Sequence, residues 1–210
     1  MRTTKPIATI SFNSASYLNL KLDELKKAKV ISVYHFIEHL PEDDEGGKKK
    51  HIHLYIEPSK LIQTDDLAEH FLEFDAAKPD KPRKCLLFRT SKFGDWYMYA
   101  IHDKAYLAAK GQSRRYHYCF DDIVTSDADE LYRAVREIDL SHLTPLREII
   151  QAVEDGLSFS EYLKKGRVPI SQIYAYQRAF DLIAYDGTYR NDRETHSPRV
   201  DIETGEIIEK

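Results

Sequence analysis

Apolar and polar residues alternate near the start of the chain. In PIATISFN every second position is apolar, which predicts a strand over about 6–13. SYLNLKLDELKKAK mixes two periods through Leu18, Leu20, Leu22 and Leu25 but ends with strong helix formers, so a helix is expected. VISVYHFI is a β-branched and aromatic run and HIHLYIE a second one. The polar loop PEDDEGGKKK separates them, so an antiparallel hairpin is expected. TDDLAEHFLEF carries Leu67, Phe71 and Phe74 at helical spacing behind Thr64, a candidate N-cap. AAKPDKPRK then reads as a loop, CLLFRT as a strand, FGDWYMYAIHDKAYLAAK as one helix ended by GQ, and YHYCF as a last strand. The resulting order is strand, helix, two strands, helix, strand, helix, strand. It predicts an α+β fold: an antiparallel sheet with helices on one face and the other face left for a ligand.

Beyond about residue 125 the pattern is helical throughout. SDADELYRAVREI has Ser126 as a candidate cap. TPLREIIQAVEDG has Thr144, Pro145 and a closing Gly156. SFSEYLKKG fits a capping box between Ser158 and Glu161, and SQIYAYQRAFDLIAYDG runs to Gly187. Periodicity is lost from about Thr188. The expected organisation is therefore a domain over 1–123, a helical domain over 124–187, and a mobile polar tail over 188–210. Leu131, Ile149, Ile150 and Val153 would form either a private core or a face for self-association.

The net charge of −4 argues against nucleic acid until its distribution is considered. Through Asp122 there are 20 Lys and Arg against 18 Asp and Glu; the remainder carries 11 against 17. The basic residues cluster at Lys48–Lys50, at Lys81–Lys84 and at Arg114 and Arg115, where they could meet phosphate or simply be solvated. No apolar run reaches membrane-span length and the N-terminus lacks the apolar core of a signal peptide. Cys85 and Cys119 show no paired spacing. The expectation is a cytoplasmic protein with reduced thiols and no membrane partner.

Two constellations carry chemistry. His51 and His53 flank Ile52 on a predicted strand and so share a face. Alone, such a pair is more often ordinary sheet structure than a metal site. The neighbouring strand ends with His35, Glu38 and His39. His35 and Glu38 beside the pair would complete a cluster for a divalent ion, with His39 able to replace His35. Mixed nitrogen and oxygen ligands suit Mn²⁺ or Mg²⁺ acting on phosphate and would tolerate Zn²⁺, Co²⁺ or Ni²⁺; a pH-sensitive polar patch is the competing reading. Further on, Tyr99, His102, Asp103 and Tyr106 would share one face of the expected helix, with Met98, Ile101 and Ala105 packing on another. Such tyrosines usually serve a core and its rim. Beside a metal, a phenolate can instead attack a DNA phosphodiester and store its energy as an ester. That would let strands be rejoined without ATP, and the chain has no Gly-x-x-x-x-Gly-Lys-Ser/Thr phosphate loop. Lys48, Lys49, Lys50, Lys104, Lys110, Arg114 and Arg115 are the candidates for DNA-backbone contacts.

With KKKHIHLYI, HFIE, WYMYAIHDKAYLAAKGQSRRYHY and LIAYDGTYR in view, the sequence resembles the HUH endonucleases, and within them the rolling-circle plasmid replication initiators of the streptococcal Rep type. The resemblance runs to about residue 190. It implies an HUH/RRM-like sheet, Mn²⁺ or Mg²⁺ held by His35, Glu38, His51 and His53, and Tyr99 as the nucleophile forming a 5′-phosphotyrosine adduct. It further implies an origin DNA partner, single-stranded at a nicked hairpin and duplex at repeats. Host helicase and polymerase would be partners too, and the helical domain would self-associate into a ring in the bacterial cytoplasm. Glu38 stands where the family usually has Asp, and the loop PEDDEGG is this chain's own. A relaxase or transposase of the same chemistry, or a non-catalytic DNA-binding regulator, are the competing expectations.

Overall fold

The computed structural model describes residues 1–41, 49–75, 78–112, 114, 116–139, 143–166, 168, 172–185, 199–200 and 207–208. In chain order the elements are β1 (Arg2–Thr3), β2 (Ile7–Ser11), α1 (Ala15–Lys27), β3 (Ile31–His39), β4 (His51–Pro58), β5 (Ile62–Gln63), α2 (Thr64–His70), β6 (Glu73–Asp75), β7 (Lys78–Arg83) and β8 (Arg89–Thr90). There follow α3 (Phe93–Ala100), α4 (Lys104–Ala109), β9 (Val124–Thr125), α5 (Ala128–Arg136), α6 (Thr144–Glu154), α7 (Phe159–Lys164), α8 (Ile173–Tyr185), β10 (Arg199–Val200) and β11 (Ile207–Ile208).

A five-stranded sheet in the order β8-β2-β4-β3-β9 organises the chain, with every neighbouring pair antiparallel. This is a mixed α and β architecture, as expected. One face is closed by α1 and α2: Leu18, Leu22, Leu25, Leu67 and Phe71 pack on Ile7, Phe36, Ile52, Leu54 and Ile56. The other face is not left open along its length. Ile37 and Tyr55 lie in a second core with Trp96, Met98 and Ala100 of α3. That core continues through Leu131, Ile149, Ile150 and Val153 to Phe180, so these apolar positions of the late helices are buried against the chain's own α3 and α4. Among the described residues, the end of this face beside His51 and His53 borders a cavity.

Several expectations change in detail. The fifth strand is Val124–Thr125, paired with His35 and Phe36, whereas the segment around YHYCF is irregular. A ribbon of β6 and β7 replaces the loop expected at AAKPDKPRK. CLLFRT contributes only a bridge between Cys85 and Ser11 and the two-residue β8. Thr64 begins α2 but does not cap it; its hydroxyl accepts from the N-terminal amine of Met1 at 3.0 Å. Asp127 rather than Ser126 caps α5, whereas the capping box of Ser158 and Glu161 forms as expected. Within the expected tail, Arg199–Val200 pairs with Ile207–Ile208.

The long tyrosine helix is broken at Ile101–Asp103. Asp103 N–H donates to the Met98 carbonyl at 2.9 Å and His102 N–H to that of Tyr99 at 3.2 Å, the paired bonds that terminate a helix. His102 takes the left-handed conformation at φ 56°, a place glycine usually fills. Asp103 then accepts from Tyr106 N–H at 2.9 Å and caps α4. Tyr99, His102, Asp103 and Tyr106 therefore do not form one helical face, and no Gly or Pro in the stretch signals the break.

Candidate metal and phosphate pocket

Register decides which side chains meet. His39 pairs with His51, Ile37 with His53 and His35 with Tyr55, so all six share one face. Glu38 pairs with Ile52 and points to the other side, where its Oε2 lies 2.9 Å from Lys50 Nζ. Residues three apart on a strand always face opposite ways, so His35 and Glu38 cannot both approach one ion. His35 is four residues from His39, roughly 13 Å along the strand. It is buried against Tyr55, Phe93 and Trp96, and its Nδ1 is 2.8 Å from the Thr125 hydroxyl. The expected ligand set is thus corrected: the structure brings His51 and His53 together with His39, and places His35 and Glu38 elsewhere.

Ring nitrogens of His39, His51 and His53 lie within 4.8 Å of one another. Two of the three rings are oriented by backbone carbonyls. His39 Nε2 donates to the Ala100 carbonyl at 2.8 Å, and His51 Nδ1 donates to that of Lys49 at 2.9 Å. A carbonyl only accepts, so the opposite nitrogen of each ring carries the lone pair a metal needs. Tyr118 stacks on His39 with centroids 4.3 Å apart and planes 6° from parallel, and His102 packs against His39 at 4.4 Å. His102 is held in turn by its Nδ1 donating to the Tyr116 carbonyl at 2.8 Å. The strained turn after α3 thus supplies a wall of the site.

The cluster opens into a cavity of roughly 270 Å³ lined by Ile10, Phe12, Lys49, His51, His53, Tyr99, His102 and Arg114. Tyr99 sits edge-on to His53 with centroids 5.4 Å apart. The other tyrosines of the segment are elsewhere. Tyr97 is buried against Phe93, and the Tyr106 hydroxyl donates to Asp95 at 3.2 Å. Burial raises the pKa of both phenols.

Of the expected backbone contacts, Lys49 and Arg114 line the cavity. Lys50 pairs with Glu38, Lys104 pairs with Glu154, and Lys110 lies over the Tyr106 ring. Lys48, Arg115 and residues 42–47 of the acidic loop lie outside the described residues. Phe12 and Ile10 escaped the sequence reading; their signal was alternation in β2, whose Ile10 pairs with His53.

Three imidazole ligands beside a cavity would suit Mn²⁺, Co²⁺ or Zn²⁺ better than Mg²⁺, which prefers oxygen ligands. Among the described residues, no helix is long and apolar enough to cross a membrane. No protein-family model matches the chain, and no curated protein matches it.

Proposed function

We propose that the chain is a metal-dependent DNA nicking and closing enzyme of the HUH kind, acting in rolling-circle replication, with Tyr99 as its nucleophile. One observation carries the reading: Tyr99 shares a cavity with His51 and His53, whose ring nitrogens cluster with that of buried His39, whereas Tyr97 and Tyr106 do not line it. A divalent ion held by His39, His51 and His53 would supply Lewis-acid polarisation of the scissile phosphate. Lys49 and Arg114 place positive charge on the same cavity, where a phosphate would sit. Phe12, 38% exposed at the cavity wall, offers a ring on which a base can stack.

The Tyr99 oxygen attacks phosphorus, an O–P bond forms to the 5′ side, and the bond to the 3′-oxygen breaks. The phenol gives up one proton and the departing oxygen gains one, so no oxidant or nucleotide is consumed. The reverse attack by a 3′-hydroxyl rejoins the strand. His102 and Tyr118 hold His39 from behind and so position the cluster. A relaxase or transposase would use the same groups, and none of these distances prefers one substrate over the other.

The test is attachment of a 3′-labelled single-stranded oligonucleotide pool to the protein in Mn²⁺. Wild type and Tyr97→Phe should form a covalent adduct that EDTA prevents, and Tyr99→Phe should form none. An adduct of normal yield with Tyr99→Phe would assign the chemistry to another group. DNA binding without any adduct would leave a non-catalytic binder.

A further inference from the structure

We propose that the β6–β7 ribbon, with the adjoining segment Lys84–Lys92, is a binding surface for the phosphate backbone of duplex DNA, separate from the histidine cavity. The charge is local. Lys78–Lys92 holds six Lys and Arg against one Asp, in a chain of net charge −4. Lys81, Lys84, Arg89 and Lys92 are exposed. Arg89 lies on β8, an outer strand of the five-stranded sheet.

The ribbon is anchored rather than trailing. Glu73 at its base accepts from the Ser14 N–H at 2.7 Å and the Ser14 hydroxyl at 2.6 Å, and lies 3.8 Å from Arg83. Buried Asn13 donates to the Phe71 carbonyl at 2.8 Å and accepts from Ser11 at 2.7 Å. Such anchoring reduces the ordering that binding would otherwise require. A two-stranded ribbon also has the width that the major groove of B-DNA admits.

Its position gives the surface a use. The Lys84 carbonyl accepts from Phe12 N–H at 3.1 Å, and Leu86 N–H donates to Ile10 at 2.8 Å. Ile10 and Phe12 line the cavity, so the basic segment runs alongside the strand that contributes to the cavity wall. Duplex held there would present its adjoining single strand to Tyr99. That last step rests on the nicking reading; the surface itself does not.

Lysines and prolines also guard exposed sheet edges against pairing with other chains, and Pro79 and Pro82 fit that role. The salt dependence of binding separates the two explanations. The probe is a random-sequence duplex of about 30 base pairs, titrated without metal from about 50 to 250 mM NaCl. For Lys81→Ala/Lys84→Ala/Arg89→Ala, the slope of log affinity against log salt should be shallower by about 2–3, with affinity at the lowest salt down roughly tenfold or more. Mn²⁺-dependent attachment of the single-stranded pool should be unchanged. Lys27→Ala/Lys164→Ala/Lys165→Ala removes equal charge elsewhere and should leave the slope as in wild type.

A wild-type slope for the first variant overturns the proposal, as does equal flattening by the second. Self-association of the first variant with an unchanged slope would assign these charges to edge protection and overturns it too. Because the duplex titration needs no cleavage, absence of an adduct leaves it standing, and its failure leaves Tyr99 untouched.

Discussion

His35 and His39 lie on the same strand and point to the same side of the sheet, and each is 1% exposed. Their environments are nevertheless opposite. Around His35 are Tyr55, Phe93 and Trp96, with one hydroxyl partner. Around His39 are His51, His53, His102 and Tyr118. Burial alone therefore does not make a histidine a ligand. What differs is the cross-strand partner: Tyr55 for one and His51 for the other. Helix α3 lies over the first end and ends at the second, where its Ala100 carbonyl accepts from His39 and a cavity opens beside His51 and His53.

The largest expected effect separates the two ends directly. His39→Ala should weaken Mn²⁺ binding by more than the roughly 10–100-fold that follows loss of a mere outer partner, read by calorimetry or by the Mn²⁺ spin signal. His51→Ala, at a less buried ligand, should do the same and guards against misreading a destabilised fold. His35→Phe should leave affinity unchanged. Equal weakening by His35→Phe would mean that the three-histidine set is not the binding site.

The same comparison shows what the sequence made legible. Alternation in PIATISFN and the β-branched and aromatic runs VISVYHFI and HIHLYIE were enough for the central strands, and the placing of His51 and His53 on one face follows from period two. Hairpin adjacency puts the end of VYHFIEHL beside HIHLYIE but does not choose a face, and period two forbids His35 and Glu38 from sharing one. Register was the missing quantity: an eleven-residue connection from Leu40 to Lys50 does not dictate which residues pair. The break after α3 was hidden for another reason. A residue able to take φ 56° ends that helix, and here it is His102 rather than glycine. The late helices were readable from their periodicity, although of their expected N-terminal caps only the box of Ser158 and Glu161 forms; that Ile149 and Ile150 pack in one core with α3 residues is a long-range fact no local pattern carries.

A second prediction concerns pH. Burial lowers the pKa of His35 from 6.5 to about 4, with Lys26 acting in the same direction and Asp127 opposing. Below pH 6.5 the unfolded chain takes up a proton that the folded chain refuses. Stability is therefore full above that point and falls as pH drops towards 4. At pH about 4.5 this single group should cost about 2–3 kcal/mol. Urea titrations of wild type and His35→Phe at neutral pH and near 4.5 give the difference, which cancels the common contribution of carboxylates. The wild type should lose that much more than the variant. Equal losses would mean that His35 titrates normally and that its aromatic surroundings do not exclude charge.

The smallest expected effect tests how separate the two ends are. The Thr125 hydroxyl has one proton and two lone pairs, and all three are used. It donates to the Asp127 carbonyl at 3.0 Å, accepts from Asp127 N–H at 3.0 Å, and meets His35 Nδ1 at 2.8 Å. With its own proton committed, the hydroxyl must accept from His35, so the Nδ1 tautomer carries the hydrogen. Thr125→Val keeps the shape and removes the hydroxyl, leaving two donors without this acceptor. A loss of about 1–2 kcal/mol is expected in urea titration, and Thr125→Ser, which restores the oxygen, should recover most of it. Mn²⁺ affinity should not change in either variant, because the hydroxyl supports only the covered end of β3. If Thr125→Val also weakens Mn²⁺ binding, the strand transmits strain over the four residues from His35 to His39, and the two histidines are one coupled unit rather than two independent environments.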